Sequence, residues 1–193
     1  MQADALLPFL LEMDRLKSIS RQTLVYQGRR AENAAEHSWH LAIAVLIFRH
    51  LAPPNLDIEK SLRMALLHDI VEIDAGDTFI YDESGDKNPK EIAALHRLAS
   101  LLPAELGSDF QQIWLEFEKR ESIEARYVNA LDRFLPLYSN ALNQGYSWKK
   151  HGISATNVIA KNQSPIESGL PSLWETAKRL IDEAVASGHL DGT

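Results

Sequence analysis

His68 and Asp69 stand side by side at the end of the apolar run Ala65-Leu66-Leu67, and two further acids follow at Glu72 and Asp77. A chain rarely sets this much ionisable chemistry against a core segment unless it is paired or bound to a metal. Imidazole nitrogen and carboxylate oxygen are ligands for zinc, manganese, cobalt and iron. Two neighbouring residues hold an ion poorly, so partners must come from elsewhere. His37 and His40 upstream and Asp132 downstream are the candidates. His37, His68, Asp69 and Asp132 together would fill four positions on one divalent ion. Water at a remaining position would be acidified, and a phosphoryl oxygen could be oriented beside it. Bland readings stay open residue by residue: His68-Asp69 as a helix-end polar pair, His37 as a core or capping group, Asp132 as a buried salt-bridge partner. The four are linked, however, because charges on several helix faces need mutual compensation and one ion would satisfy them together.

Helices must position these groups. Residues 3–18 read as a helix with Leu6, Leu7, Leu10, Leu11 and Leu16 on its apolar side. Residues 17–30 are too polar and irregular for a buried helix; they read as an ordered loop bringing Arg21, Arg29 and Arg30 toward the site. Asn33 with Glu36 forms a capping box for a helix over 34–51, which places His37 and His40 one turn apart and stops at Pro53-Pro54. Asp57 caps a third helix expected to run through His68 to about Ile73, and Gly76 ends or redirects it. A polar loop over 77–87 leads to Asn88-Pro89, a cap and first-turn proline for a helix to Leu102, broken by Pro103 and Gly107. Helices follow over 108–120 and 122–143. On the latter, Asp132 is the exception on a side shared with Ala125, Val128, Leu131 and Leu135. Gly145 ends that segment. A short helix over 154–162, a loop over 163–172 with Pro165, Gly169 and Pro171, and a last helix over 173–186 complete the chain. No strand series or repeat is evident, so the expected class is all-α.

The 193 residues, 45% of them hydrophobic, suffice to bury a core without staples. Cysteine is absent, which excludes disulfides, thiolate metal sites and cysteine nucleophiles and fits a reducing, cytoplasmic setting. The start Met1-Gln2-Ala3-Asp4-Ala5-Leu6 lacks a basic signal region, and no apolar run is long enough to span a membrane. A net charge of -7 argues against binding a nucleic-acid polymer through a basic face. It leaves room for a small phosphorylated substrate held by a few arginines.

A histidine, a distant His-Asp doublet and a later aspartate, here His37, His68-Asp69 and Asp132, resemble the pattern of the HD-domain phosphohydrolases. The stretches Arg30-Ala31-Glu32-Asn33-Ala34-Ala35-Glu36-His37 and His68-Asp69-Ile70-Val71-Glu72-Ile73-Asp74-Ala75-Gly76-Asp77 are similar to the 5'-deoxynucleotidase branch, over roughly residues 5–145. The resemblance implies an HD-domain helical bundle, with a core over 1–150 and a C-terminal helical extension over 151–193 packed on it. It implies one divalent metal on His37, His68, Asp69 and Asp132, with Mn2+ or Co2+ favoured and Mg2+, Zn2+ or Fe2+ admitted. It assigns Glu72 to proton transfer or water positioning, Asp77 to the sugar side of the pocket and Arg21 to phosphate. Arg30 has the better motif match of the Arg29-Arg30 pair as a second phosphate contact. The branch carries tryptophan after the arginine; this chain has Gln22, which weakens the expectation of strict 2'-deoxy selectivity. A homodimer is also implied, and Trp148, Leu173, Trp174 and Leu180 would pack against the bundle or a second subunit.

The expected reaction is hydrolysis of a nucleoside 5'-monophosphate to nucleoside and phosphate. An HD hydrolase of nucleotide diphosphates or triphosphates would need further positive groups for distal phosphates. A noncatalytic, metal-stabilised interaction protein would have no open coordination position.

Overall fold

A computed structural model describes residues 3–28, 30–82 and 87–193. Helix α1 (Leu7–Asp14) is flanked by single 3-10 turns at Ala3–Leu6 and Arg15–Ser18, so the expected first helix is three helical pieces. Its leucines are only loosely covered: Leu7, Leu10 and Leu11 are exposed, and Leu16 alone of the expected face is fully buried.

The expected loop after it is a hairpin. Strand β1 (Ser20–Leu24) pairs antiparallel with β2 (Ala31–Asn33), with Ser20 opposite Asn33 and Leu24 opposite Ala31. Gln27, with φ of 52°, lets the chain turn. At Gly28 a Cβ would lie 1.9 Å from Val25 Cγ2, so a side chain there would force Val25 to move. These strands are too short to show a two-residue period, which is why composition alone read them as irregular. Ser139 Oγ donates to Leu24 O at 2.7 Å and ties the hairpin to the bundle. Arg29 lies outside the described residues.

Helix α2 (Ala34–Ile47) starts at the expected capping box, with Asn33 and Glu36 each accepting the other's backbone N–H. It closes in a 3-10 turn at Phe48–Leu51. His37, Ser38, Leu41, Ala44 and Val45 are buried, while Trp39, Ile43, Leu46 and Ile47 are exposed on the other side. Helix α3 (Ile58–Leu67) is capped by Asp57, whose side chain accepts from Lys60 N. It does not continue to Ile73 as expected. Trp114 Nε1 donates to His68 O at 2.9 Å, taking the carbonyl that Glu72 N–H would have used. Glu72 N instead donates to Asp69 O at 2.9 Å. The chain therefore tightens at His68-Asp69 before the short α4 (Glu72–Ala75), and Gly76 redirects it with φ of 78°.

Helices α5 (Lys87–Ala99), α6 (Ala104–Lys119), α7 (Ile123–Leu142), α8 (Tyr146–His151), α9 (Ala155–Gly169) and α10 (Pro171–Ala186) follow. Asn88 and Pro89 lie inside α5, and the residues just before that helix are outside those described. Gly107 does not break a helix. It lies within α6, where a Cβ would stand 2.6 Å from Ala99 O, and its bare Cα lets α6 close against the end of α5. The expected loop over 163–172 is mostly helix: α9 runs through Pro165 to Gly169. A proline there forfeits one helical N–H. Packing outweighs that loss, since Val158, Asn162, Ile166 and Gly169 are buried on the side facing α7. A Cβ on Gly169 would meet Arg126 O at 2.0 Å.

Two apolar clusters hold the bundle. One joins buried residues of α2, α3, α7, α9 and α10 around Trp148. Leu173 and Trp174 are buried in it and Leu180 packs against it, so these side chains are accounted for within the chain. The second joins Leu16, Ile70, Val71 and Ile73 to α5 and α6. Leu67 packs against both, and the His68-Asp69 break sits at their seam. Among the described residues no helix is long and apolar enough to cross a membrane.

Candidate metal centre

The Asn33 cap fixes the start of α2 and turns His37, in its first turn, inward. The break after α3 presents His68 and Asp69, and α7 supplies Asp132. His68 Nδ1 donates to Ala65 O at 3.0 Å. That bond orients the ring and leaves Nε2 facing Asp69 Oδ1 at 3.1 Å and Asp132 Oδ1 at 3.6 Å. Nε2 is buried and lacks a hydrogen-bond partner. His37 Nε2 donates to Asp132 Oδ1 at 2.9 Å, and its Nδ1 lies 3.6 Å from Glu32 Oε2. The two imidazole centroids are 5.5 Å apart. Among the described residues, His37, His68 and Asp69 each offer a ligand atom within 4.8 Å of the others. This buried His-His-Asp cluster can coordinate one divalent ion. An orphaned imidazole nitrogen whose other nitrogen is held by a carbonyl is the arrangement that metal-bound histidine requires.

The charges point the same way. Burial opposes protonation of His68, but Asp69 and Asp132 outweigh it and raise the group to about 10. For His37, burial and Arg21 oppose a proton, and the bonds to Asp132 and Glu32 prevail, so its pKa is also raised. Asp69 and Asp132 resist burial's upward push and are held well below the usual carboxylate range, Asp69 by the His68 and Arg21 charges and Asp132 by its bonds to both histidines. The cluster thus demands positive charge, which imidazole protons or one divalent ion can supply.

Beside it, Glu72 is buried with Oε2 unpaired. Burial, then the Asp69 charge, push its carboxyl up to about 9. Arg21 Nη1 donates to Asp69 Oδ2 at 2.7 Å and lies 3.6 Å from Asp77 Oδ1; its Nε is 3.9 Å from Glu32 Oε2. His68, Asp69, Glu72, Asp77, Arg21 and Asp132 all line a cavity of about 880 Å³, large enough for a nucleotide-sized molecule.

Comparison with known proteins agrees with this centre. The HD-domain family model matches residues 13–174. The chain belongs to the HD-domain family. It is 44% identical to a crystal structure from Magnetospirillum magnetotacticum MS-1 described as a "predicted metal-dependent phosphohydrolase", with 97% of each chain covered and a TM-score of 0.92. It is 30% identical to human 5'-deoxynucleotidase HDDC2 over 134 residues, 68% of this chain and 64% of the human protein. It is 26% identical to the 5'-deoxynucleotidase hdd1 of Schizosaccharomyces pombe over 137 residues, 67% of this chain and 68% of that protein. The chain thus spans slightly less than two thirds of the length of the human relative.

One expected group, Arg30, and the ambiguous His40 are not drawn into the HD centre. Arg30 is exposed and holds Glu36 through both terminal nitrogens, at 2.8 and 2.5 Å. It stands at the helix entry rather than on the cavity wall, because Glu36 is the nearer carboxylate. His40 is exposed and stacks beside Trp39. From sequence, Glu32 and Glu36 were candidates to anchor the helix entry and nearby arginines; Glu36 meets Arg30, and Glu32 backs both His37 and Arg21. Arg120 and Arg133, which line the cavity with Trp114 and Phe117, escaped the sequence reading. Nothing local to Arg120 or Arg133 marks them, since their approach depends on how α6 and α7 pack.

Proposed function

We propose that the chain is a metal-dependent phosphohydrolase that converts nucleoside 5'-monophosphates to nucleosides and phosphate. The observation that carries this reading is the buried His37-His68-Asp69 cluster, with its unpartnered His68 Nε2, opening on a cavity lined by arginines. The named activities of the deoxynucleotidase relatives support the substrate class.

His37, His68, Asp69 and Asp132 would hold the ion. When bound it supplies Lewis acidity to a phosphoryl oxygen and to the attacking water. Glu72 faces the same space and can hold or move a proton between that water and the departing nucleoside 5'-oxygen. Asp77 lies on the cavity wall and would accept a hydrogen bond from a sugar hydroxyl. Arg21 fixes the directions of Asp69 and Asp77 and adds positive charge toward the phosphate. The wall residue Gln22 receives Lys150 Nζ at 3.0 Å and His151 Nε2 at 3.1 Å on its Oε1, a polar surface where the deoxynucleotidase resemblance expects an aromatic one. A second copy of the chain is the partner we propose, and sedimentation equilibrium returning a monomer mass would reject it.

The decisive assay measures phosphate release from matched 5'-mono-, di- and triphosphates of ribo- and deoxyribonucleosides, at equal metal content, for the wild type, His68→Ala and Asp69→Ala. Cleavage of monophosphates that falls with metal content in both variants is expected. Efficient cleavage of a triphosphate with none of either monophosphate would overturn the substrate class, and unchanged metal content in both variants would overturn the ligand set.

A further inference from the structure

Arg21 has three carboxylates around it: Asp69 at 2.7 Å, Asp77 at 3.6 Å and Glu32 at 3.9 Å. Much of its charge is therefore committed to holding acids in place. The opposite condition prevails at Arg133. It follows Asp132 on α7 and lines the same cavity. Its Nε, like that of Arg21, is buried without a hydrogen-bond acceptor, but among the described residues no carboxylate lies within ion-pair distance of its guanidinium. Arg120, also on the cavity wall, is close enough for the two positive charges to oppose one another. Arg120 is held by Asn129 Oδ1 at 2.7 Å, by Glu118 Oε1 at 3.2 Å and by the Phe117 face, with its guanidinium carbon 3.7 Å from the ring centroid. Phe117 in turn abuts the His68 ring at 5.2 Å between centroids. Two guanidinium groups thus share one wall beside the HD centre: Arg120, anchored with Glu118 as its one acid partner, and Arg133, which among the described residues meets no carboxylate at ion-pair distance. Such a pair is stabilised by an anion with several acceptor oxygens.

We infer that Arg133 binds the substrate's phosphate, together with Arg120, while Arg21 acts chiefly as the fixed counter-ion of Asp69 and Asp77. This rests on the phosphohydrolase reading for the identity of the anion. It goes beyond that reading in moving the main phosphate contact from β1 to α7. Since Asp132 and Arg133 are consecutive, helix α7 would hold the centre and the phosphate with neighbouring side chains, setting their separation by a rigid element rather than by a loop.

The test is calorimetric titration of inorganic phosphate into metal-loaded wild type, Arg133→Gln and Arg133→Lys, with metal content and melting temperature measured on the same samples. Arg133→Gln is expected to weaken phosphate binding by about tenfold or more, as loss of a charge-assisted contact does, and to raise KM for a 5'-monophosphate more than it lowers kcat. Arg133→Lys should recover part of the affinity. Metal content should stay at the wild-type level in both. Equal phosphate affinity in the wild type and Arg133→Gln would overturn the inference even if monophosphates are hydrolysed. Phosphate binding that depends on Arg133 in a protein that cleaves no monophosphate would support the anion site and place the error in the reaction assigned.

Discussion

Metal binding and the stability of the metal-free protein are expected to respond to pH with opposite signs. Burial would lower the His68 pKa, but Asp69 and Asp132 raise it to about 10, so in the metal-free protein the imidazole is expected to carry a second proton, on Nε2, at neutral pH. An ion must displace that proton. Each pH unit below the pKa then weakens apparent affinity about tenfold per proton released, or about 1.4 kcal/mol. Between pH 6 and 8 one proton predicts binding about a hundredfold tighter, worth about 2.7 kcal/mol under excess metal. For a domain of this size that enlarges the metal-induced rise in Tm by about 5–10 °C. Release from His37, also raised, would add to it. The metal-free protein goes the other way. His68 ordinarily titrates near 6.5 and Glu72 near 4.5, and both are raised in the fold, Glu72 to about 9 by burial and then Asp69. A raised group contributes stability that is complete below its unfolded pKa and is lost as pH climbs through the folded one. The chelated protein should therefore lose stability from pH 6 to 8, while the metal increment grows. Asp69 and Asp132, being lowered, lose their contribution only in acid, outside this window. Melting temperatures with chelator and with excess Mn2+ at both pH values read the two trends, and calorimetry in buffers of different ionisation heat counts protons. An equal metal increment at pH 6 and 8, with no proton released, would refute the reasoning.

Glu72→Gln keeps the shape of the side chain and removes its acid; metal content should be retained while phosphate release per bound metal falls at least about a hundredfold, and a rate near wild type would reject the proton role. Trp114→Phe deletes the donor to the His68 carbonyl; stability measured by urea unfolding should drop by about 1–3 kcal/mol, and an unchanged midpoint would show that this bond does not hold the break at His68-Asp69. Because Gln22 is a polar wall residue held by Lys150 and His151, kcat/KM for matched deoxy- and ribonucleoside 5'-monophosphates should agree within about tenfold. Gln22→Trp should shift the ratio toward the deoxy substrate, and a strong deoxy preference in the wild type would defeat that account.

What the sequence by itself determined rests on short-range chemistry. The Asn33–Glu36 box and the Asp57 cap involve residues three apart, so they were readable and hold in the fold. Gly76 was readable because its backbone adopts a conformation that favours glycine. The His-Asp doublet and the lone aspartate on an apolar helix side announced buried charge needing compensation, and the structure brings Asp132 to His37 across 95 residues.

Tertiary structure decided where local preferences met distant partners. The periodicity over 58–73 favoured one continuous helix, and an indole 46 residues further on ended it at His68 by claiming a carbonyl. Pro165 predicted a loop, and α9 stayed helical because its buried side packs on α7. Arg21 and Arg30 read alike as phosphate contacts. The fold set one among Asp69, Asp77 and Glu32, and the other on Glu36 at the surface. Residue type states what charge a side chain can offer, whereas the packing of α2, α3 and α7 decides which opposite charge it meets first. Coulomb attraction in a low-dielectric seam is strong only at those few ångströms of separation.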